Sequence, residues 1–225
     1  ILTQMVGEIL EFRKIQNDKA KLTLNRFELS SELATWSNDF KIVAERKNIT
    51  LKVDIKTEGN AIVIADKEKI AHIYFNLMTN AIKYTPNGGS ITSTLEHANN
   101  KYTIAVTDTG KGLTEDDRKH IFDRFYQAKN SVGGTGIGLA IVKAYVELHH
   151  GTVGVDSEQG HGSRFFFSIP EEQPGYNPAE DIQEEIKNEP KLADDYSVKD
   201  IITQQNISAI TSTEDYDNNQ PLLLV

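Results

Sequence analysis

The sequence predicts a compact domain that mixes α-helices and β-strands, within a chain of 225 residues that carries additional segments at both ends. Between Phe27 and Pro170, apolar runs of strand length alternate with stretches of helical periodicity. Clusters of glycine, asparagine and proline separate these runs, as expected for turns. The length is sufficient for one well-buried core with further segments attached.

Residues 1–25 are predicted to form a helix. Leu2, Met5, Ile9 and Phe12 follow a 3-4-3 spacing, and charged residues lie off this seam. Two interpretations stay open: an ordinary amphipathic helix packed on the domain, or the end of a coiled-coil-like dimerisation hairpin.

The predicted elements of the domain begin with a helix over residues 32–47 and a half-buried strand over 49–55. They continue with an apolar run at 61–65, a helix at 67–84, strands at 90–96 and 101–107, a helix that starts at Thr114, a helix at 137–149, and strands at 152–156 and 163–169. Asn99 and Asn100 indicate a hairpin, and Thr114 can form a capping-box-like pair with the acidic residues after it. Gly151 is predicted to end the 137–149 helix in a left-handed conformation.

The 67–84 helix carries an unusual polar face. At about 100° per residue, Asn76, Asn80 and Lys83 lie within about 60° of one another on its surface. An amide oxygen is a hard neutral ligand suited to Mg²⁺, and an ammonium group beside it can neutralise phosphate charge. A solvated polar face is the alternative. A separate apolar stripe is predicted to pack inward: Ile70, Ile73, Leu77 and Ala81.

Two glycine-containing segments complete a candidate site. Asp108 ends the 101–107 strand, where a carboxylate can accept a hydrogen bond from an exocyclic amine such as that of adenine. Gly110 and Gly112 would let the backbone approach a base closely. The cluster from Gly133 to Gly138 leads into a helix, whose N-terminal N–H groups and dipole favour phosphate. A plain β-turn and a flexible loop are the alternatives, but the three constellations together indicate a nucleotide site.

Three aromatic residues lie between these glycine segments: Phe122, Phe125 and Tyr126. We interpret them as anchors of a lid over the nucleotide, with membership of the permanent core as the alternative.

Composition excludes several other functions. There are no cysteines, and none of the six histidines has a convincing metal-ligand spacing. Thirteen of the 33 acidic residues but only three of the 24 basic residues follow Pro170, so the remainder is close to neutral. A near-neutral domain gives no basic footprint for nucleic acid. No segment approaches the roughly 20 apolar residues of a membrane helix, and nothing resembles a signal peptide.

The motifs closely resemble the ATP-binding domain of sensor histidine kinases, in the superfamily shared with gyrase, mismatch-repair and chaperone ATPases. Residues 76–84 resemble the family's N box, and residues 108–112 resemble its G1 box. Residues 122–125 resemble its F box, residues 134–139 its G2 box, and residues 162–170 its closing strand. The resemblance covers about residues 26–170. It implies an α+β fold, a two-layer α/β sandwich (the Bergerat ATP-binding fold) with a mixed sheet and helices on one face.

The resemblance also implies residue roles. Asn80, helped by Asn76, would bind Mg²⁺, Lys83 the phosphates and Asp108 the adenine, while Tyr84 would pack by the nucleotide. Asn76, Asn80 and Lys83 are the expected catalytic residues. The remaining expected ATP-binding residues are Gly110, Gly112, Phe125, Gly134, Thr135, Gly136, Ile137, Gly138, Leu139 and Ser163. Hydrolytic members have a glutamate general base where this chain has Asn76, so transfer to a protein group is favoured over hydrolysis.

The implied enzyme is a protein histidine kinase that transfers the γ-phosphoryl group of ATP to a histidine in a phosphorelay. No histidine here has the family's phosphoacceptor context, so we expect the chain to bind ATP without labelling itself. A conformationally driven ATPase, a non-catalytic nucleotide-gated binding module and a serine-kinase relative are the alternatives.

The expected organisation has four parts. Residues 1–25 resemble the end of the second dimerisation helix, 26–170 form the kinase domain, 171–220 an acidic disordered linker, and 221–225 the start of a receiver domain, as in a hybrid kinase. The expected partners are the phosphoacceptor helices of the same protein, a homodimer at full length, and a receiver domain in cis. Neither nucleic acid nor membrane contact is expected of this chain. We expect a cytoplasmic location, with anchoring of the full-length protein in the inner membrane left open.

Overall fold

The computed structural model describes residues 21–128 and 134–178 of the chain. Within them the elements are β1 (Asn25–Glu28), α1 (Leu29–Asn38), α2 (Lys41–Arg46), β2 (Thr50–Lys56), β3 (Ile62–Ala65), α3 (Lys67–Tyr84), β4 (Ser90–Ala98), β5 (Lys101–Asp108), α4 (Glu115–His120), α5 (Gly138–Leu148), β6 (Thr152–Ser157) and β7 (Ser163–Pro170). The predicted α+β class is confirmed.

The main sheet has five strands in the order β2-β4-β5-β7-β6. Strands β2 and β4 are parallel, and the other neighbours are antiparallel, so the sheet is mixed. A second, two-stranded antiparallel sheet pairs β1 with β3. Asn99 and Asn100 join β4 to β5, and their φ values are 54° and 58°. A two-residue hairpin turn that matches the twist of its strands requires such positive φ values at both positions.

The core lies between the main sheet and the helices. The apolar stripe of α3 is buried as predicted, with Ile70, Ile73, Leu77 and Ala81 each 4% exposed or less. Alternate residues of the strands, such as Ile91, Leu95 and Phe167, are fully buried against these helices. At its N-terminus α3 is capped by Asp66, whose Oδ1 accepts a hydrogen bond from Lys69 N at 3.1 Å.

Two predicted helix features are wrong. The 32–47 helix is divided into α1 and α2, because the backbone tightens into i→i−3 hydrogen bonds at Asp39 and Phe40. The left-handed residue after α5 is His150, with φ of 55°, and not Gly151. Gly151 lies directly against the carbonyl of Ser168, so this position needs a glycine for close approach and not for its φ.

The ends of the domain also differ from expectation. The predicted helix over residues 1–25 falls outside the described residues up to residue 20, and residues 21–24 have no regular structure. Packing continues past Pro170: Ile64 N donates to Glu171 O at 2.9 Å, and Gln173 Nε2 donates to His149 O at 3.1 Å. Gln173 is only 6% exposed. None of the helices in the described part of the chain is both long and apolar enough to span a membrane.

Candidate functional site

The polar face of α3 is present as predicted. Asn76, Asn80 and Lys83 are all half-buried and lie on one side of the helix. The amide Nδ2 of Asn76 donates to the carbonyl of His72 one turn earlier, at 3.1 Å. Its Oδ1 therefore points away from its own helix, towards the start of α5.

The turn after β5 lies against the C-terminal end of α3. Gly110 N donates to Asp108 Oδ1 at 2.7 Å, which closes the turn. A Cβ atom at Gly110 would lie 2.6 Å from the carbonyl oxygen of Tyr84, so only glycine permits this approach. Asp108 and the end of α3 are thereby brought together.

Asp108 is a buried carboxylate, only 6% exposed. Burial raises the pKa of Asp108 above its usual range, while hydrogen bonds from the backbone N–H groups of Gly110 and Ser163 act in the opposite direction. The two backbone donors orient the carboxylate without neutralising it. It can therefore still act as an acceptor for an additional N–H donor.

The β6–β7 hairpin supports this turn from the other side. Gly112, with φ of 66°, lies against the carbonyl of Glu158. Ser163 is opposite Asp108 in the register of β7 and β5. Its hydroxyl is 2.9 Å from that of Ser157. Of the predicted site residues here, Gly112 and Ser163 thus hold the turn in place.

The start of α5 packs onto the polar face of α3. A Cβ atom at Gly138 would lie 2.6 Å from Asn76 Oδ1. Ile137 N donates to the hydroxyl of Thr135 at 3.2 Å. Ile137 is buried, and Leu139 packs against the core, so these two predicted site residues anchor the helix by apolar contact.

The glycines before α5 connect to two other predicted groups. A Cβ atom at Gly134 would lie 3.4 Å from Lys83 Nζ, and Gly136, with φ of 71°, lies against the backbone of Phe125. Phe125 N donates to Gly136 O at 2.9 Å. The predicted residues Gly134, Gly136 and Phe125 are therefore brought together, whereas Gly133 lies outside the described residues.

The aromatic segment is anchored differently from the prediction. Phe122 packs edge-on against Phe165, and Tyr126 donates to Asp117 Oδ1 at 2.9 Å, which raises the pKa of Tyr126 to about 12. Phe125 is 68% exposed, so its side chain is no anchor; its backbone makes the contact instead. Thr114 forms the predicted capping box with Asp117.

Lys111 was not among the predicted site residues, although it lies inside the Asp108–Gly112 motif. Its ammonium nitrogen is 5.1 Å from the centre of the Tyr84 ring, and that of Lys83 is 5.0 Å from the same centre. Burial and the charge of Lys111 lower the pKa of Lys83. The sequence feature that could have identified Lys111 as a site residue is its position between two glycines of a candidate binding turn.

A groove of about 770 Å³ lies beside the site, between α4 and the β6–β7 turn. It borders Asp108 and Ser163 but none of the polar residues of α3. The candidate site is therefore the convergence of polar groups on α3, and the groove is a neighbouring feature that shares only Asp108 and Ser163 with it. Within residues 21–128 and 134–178, no group of three or more His, Asp or Glu side chains could hold a metal ion.

Comparison with known proteins gives matches over the same region. A family model for histidine kinase-, DNA gyrase B-, and HSP90-like ATPases matches residues 65–173. The sensor histidine kinase TmoS of Ectopseudomonas mendocina is 37% identical over 75% of this chain and 18% of its own length. The sensor-like histidine kinase SenX3 of Mycolicibacterium smegmatis is 33% identical over 76% of this chain and 45% of its own length. The chain thus spans less than half the length of these curated relatives.

Solved structures give a consistent result. Full-length ShkA in complex with AMPPNP superposes with a TM-score of 0.68 and 28% identity, over 75% of this chain and 35% of ShkA. A nucleotide-free catalytic domain of the histidine kinase ThkA superposes with a TM-score of 0.62 and 26% identity, over 67% of this chain and 97% of that domain. The fold, the motif geometry and these matches agree. The chain belongs to the histidine kinase-, DNA gyrase B-, and HSP90-like ATPase family and carries the ATP-binding catalytic domain of a sensor histidine kinase.

Proposed function

We propose that the domain binds ATP with Mg²⁺ between the polar face of α3, the turn after β5 and the start of α5, and directs the γ-phosphoryl group to a histidine. One observation carries the proposal. The polar face of α3 meets two glycines at which a Cβ atom would be only 2.6 Å from another group: Gly110 against Tyr84 O, and Gly138 against Asn76 Oδ1.

The donor set at α3 fits a hard divalent cation. Asn80 and Asn76 offer neutral amide oxygens, which suit Mg²⁺ when phosphate oxygens and water complete its shell. Bound there, Mg²⁺ would supply neutralisation of phosphate charge. The absence of a carboxylate cluster in the described residues is compatible with this, since the nucleotide itself brings the negative charge.

The chain's own residues bind and orient the nucleotide. The Asp108 carboxylate accepts a hydrogen bond from the exocyclic amine of adenine, and Gly110 lets the turn pack closely against Tyr84 O, which holds this carboxylate beside α3. Lys83 neutralises phosphate charge from the α3 side. The first N–H groups of α5, which have no acceptor within the helix, would donate to the phosphates.

Asn76 favours transfer over hydrolysis. An amide cannot accept a proton from water at neutral pH, so this position supplies no general base. The half-buried helix face therefore holds the phosphates without activating water. Phosphoryl transfer depends mainly on positioning and charge neutralisation, which these residues provide.

We propose that the acceptor histidine lies on dimerisation helices of the same full-length protein, and that the phosphoryl group passes on to a response regulator or a receiver domain. ThkA, solved in complex with the response regulator TrrA, resembles this chain at 25% identity and a TM-score of 0.63.

Calorimetric titration with ATP tests the site. We expect binding that weakens when Mg²⁺ is removed, and that falls at least about tenfold in Asn80→Ala and Asp108→Asn, since each loses a polar contact to the ligand. Asn60→Ala, at an exposed loop asparagine, is the matched control and should bind like the parent. Equal affinity in all four proteins would contradict the proposed site.

A transfer assay tests the activity. The chain is mixed with labelled ATP and a protein that supplies histidine-bearing dimerisation helices. Label on that histidine, absent in Asn80→Ala, is expected, together with slow release of inorganic phosphate when the acceptor is omitted. Rapid steady phosphate release without acceptor labelling would favour the ATPase alternative.

A further inference from the structure

We propose that Lys111 is a second cationic ligand for the phosphate groups of the bound nucleotide, acting beside Lys83. This inference rests on the proposed ATP-binding function and deepens it, because it assigns a role to a residue that the motif comparison left without one. Four observations on the Asp108–Gly112 turn carry it.

The first observation is the position of the two ammonium groups. Lys83 Nζ and Lys111 Nζ lie 5.0 Å and 5.1 Å from the centre of the same Tyr84 ring, although they come from α3 and from the turn after β5. Two nitrogens so close to one centre can be no more than about 10 Å apart, roughly one Debye length at physiological salt. One polyphosphate can therefore interact with both.

The second observation is that the backbone of Lys111 is held on three sides. Gly110 lies against Tyr84 O, and Gly112 lies against Glu158 O. Gly160 N donates to Lys111 O at 2.7 Å. Because α3 and the β6–β7 hairpin restrain the turn, the direction in which the Lys111 side chain leaves the backbone is set before a ligand binds.

The third observation is accessibility. Lys111 is exposed, whereas Lys83 is half-buried. An incoming anion can reach the Lys111 ammonium group with little cost in desolvation. A flexible lysine stem also lets the charge move by a few ångströms towards a phosphate while the turn stays fixed.

The fourth observation is electrostatic. The charge of Lys111 helps to lower the pKa of Lys83, so the two ammonium groups repel each other. The charge of Lys111 also stabilises the ionised carboxylate of Asp117, which accepts hydrogen bonds from the hydroxyl groups of Thr114 and Tyr126. A polyanion that contacts both lysines offsets their repulsion, and triphosphate does so more effectively than monophosphate.

The test compares ligands that differ in phosphate number. Affinities for ATP, ADP and adenosine are measured by calorimetry for the parent chain, Lys111→Met, Lys111→Arg and Lys83→Met. We expect Lys111→Met to bind ATP about tenfold more weakly than the parent does. Its affinity for ADP should fall by a smaller factor, and its affinity for adenosine should stay within about twofold of that of the parent. Lys111→Arg keeps the charge and should retain most of the ATP affinity.

Lys101→Met is the matched control, because Lys101 is an exposed lysine at the opposite end of β5. Its ATP affinity should equal that of the parent. Thermal unfolding without ligand, equal in the parent and in Lys111→Met, shows that the turn is intact.

The outcomes are distinguishable. If Lys111→Met binds ATP like the parent while Lys83→Met does not, the inference is wrong and the proposed function stands. If Lys111→Met loses ATP and adenosine equally, Lys111 acts by supporting Tyr84 and is not a phosphate ligand. If the parent chain itself binds no ATP, the proposed function is wrong, and the inference about Lys111 that rests on it is wrong as well.

Discussion

At the scale of single residues, His149 shows how one buried side chain joins two elements. It is fully buried, with Nδ1 2.7 Å from Tyr145 O, and its Nε2 accepts a hydrogen bond from Asp66 N at 3.1 Å. Because Nε2 is the acceptor, the imidazole is neutral in the folded state. Protonation would break the bond to Asp66, the residue that caps α3.

This arrangement predicts that stability falls in mild acid. Burial is the main cause that lowers the pKa of His149 below its ordinary value of 6.5, so the unfolded chain binds a proton that the folded chain does not. The free energy of unfolding should therefore decrease as the pH falls through 6.5 towards the folded-state pKa, and be unaffected by this group above that window. Denaturant titrations between pH 5.5 and 8 measure the effect.

His149→Gln is the matched variant, since a glutamine can donate and accept but does not titrate. Its stability should vary less with pH than that of the parent over the same range. Identical pH profiles for the two proteins would show that His149 is not the titrating group.

At the scale of elements, α3 is central because other elements bind both of its ends. Lys47, which follows α2, donates from Nζ to Ile82 O at 2.6 Å and to Thr85 O at 3.1 Å. Ile82 lies in the last turn of α3 and Thr85 is its C-cap, so a cation here satisfies acceptors at the helix end and interacts favourably with the helix dipole. Tyr84, at this same end, contacts Gly110 of the binding turn.

Replacing this cap should destabilise the domain. Lys47→Met keeps the length of the side chain but leaves two partly buried carbonyls without their donor, at a cost of about 1–3 kcal/mol in the free energy of unfolding. Urea denaturation measures it. Lys41→Met, at an exposed lysine of α2, should change the stability by less than about 0.5 kcal/mol. Equal effects in the two variants would argue against capping.

The contact between α5 and α3 allows a double-mutant test. Gly138→Ala places a methyl group 2.6 Å from Asn76 Oδ1, so the two helices must separate or the amide must move. We expect a modestly lower melting temperature, because Asn76 can move only by giving up its hydrogen bond to His72 O, at a cost of about 0.5–1.5 kcal/mol, while the helix-propensity gain of alanine is small at the first residue of a helix. With Asn76→Ala already present, the same Gly138→Ala change should become neutral or stabilising. An unchanged cost in that background would locate the strain elsewhere.

At the scale of the whole molecule, the described domain is closed by the segment after β7. Glu171 extends the edge of the small sheet through Ile64 N and accepts from His97 at 2.8 Å, and Gln173 donates to His149 O. The segment that leaves the domain thus begins with residues that belong to its packing. The family match ends at residue 173 as well.

Truncation measures this contribution. The free energy of unfolding should be about 1–3 kcal/mol lower for a chain ending at Pro170 than for one ending at Pro178. The shorter chain loses the Glu171 and Gln173 hydrogen bonds and exposes His149. Amide exchange at Ile64 should accelerate in the shorter chain. Equal stability and equal protection at Ile64 would show that the segment contributes nothing.

Several elements could be predicted from local sequence alone, because their own residues specify them. The bounds of α3 at 67–84, the Asn99–Asn100 turn and the Thr114 cap were all predicted, because periodicity, turn preference and capping are local properties. The order of the motifs along the chain also predicted the family, and the comparison with known proteins confirms it. β1 was missed, because Asn25–Glu28 has little strand character of its own and is a strand only through its pairing with β3.

Which side chains meet could not be predicted in the same way, because it depends on the folded chain. Phe125 carries an aromatic ring in a motif, yet its backbone makes the contact and its ring is exposed. The approach of Lys111 to Tyr84 likewise joins two residues that are far apart in the chain. Such contacts arise from packing between segments that are distant in sequence, and local patterns contain no information about that distance in space.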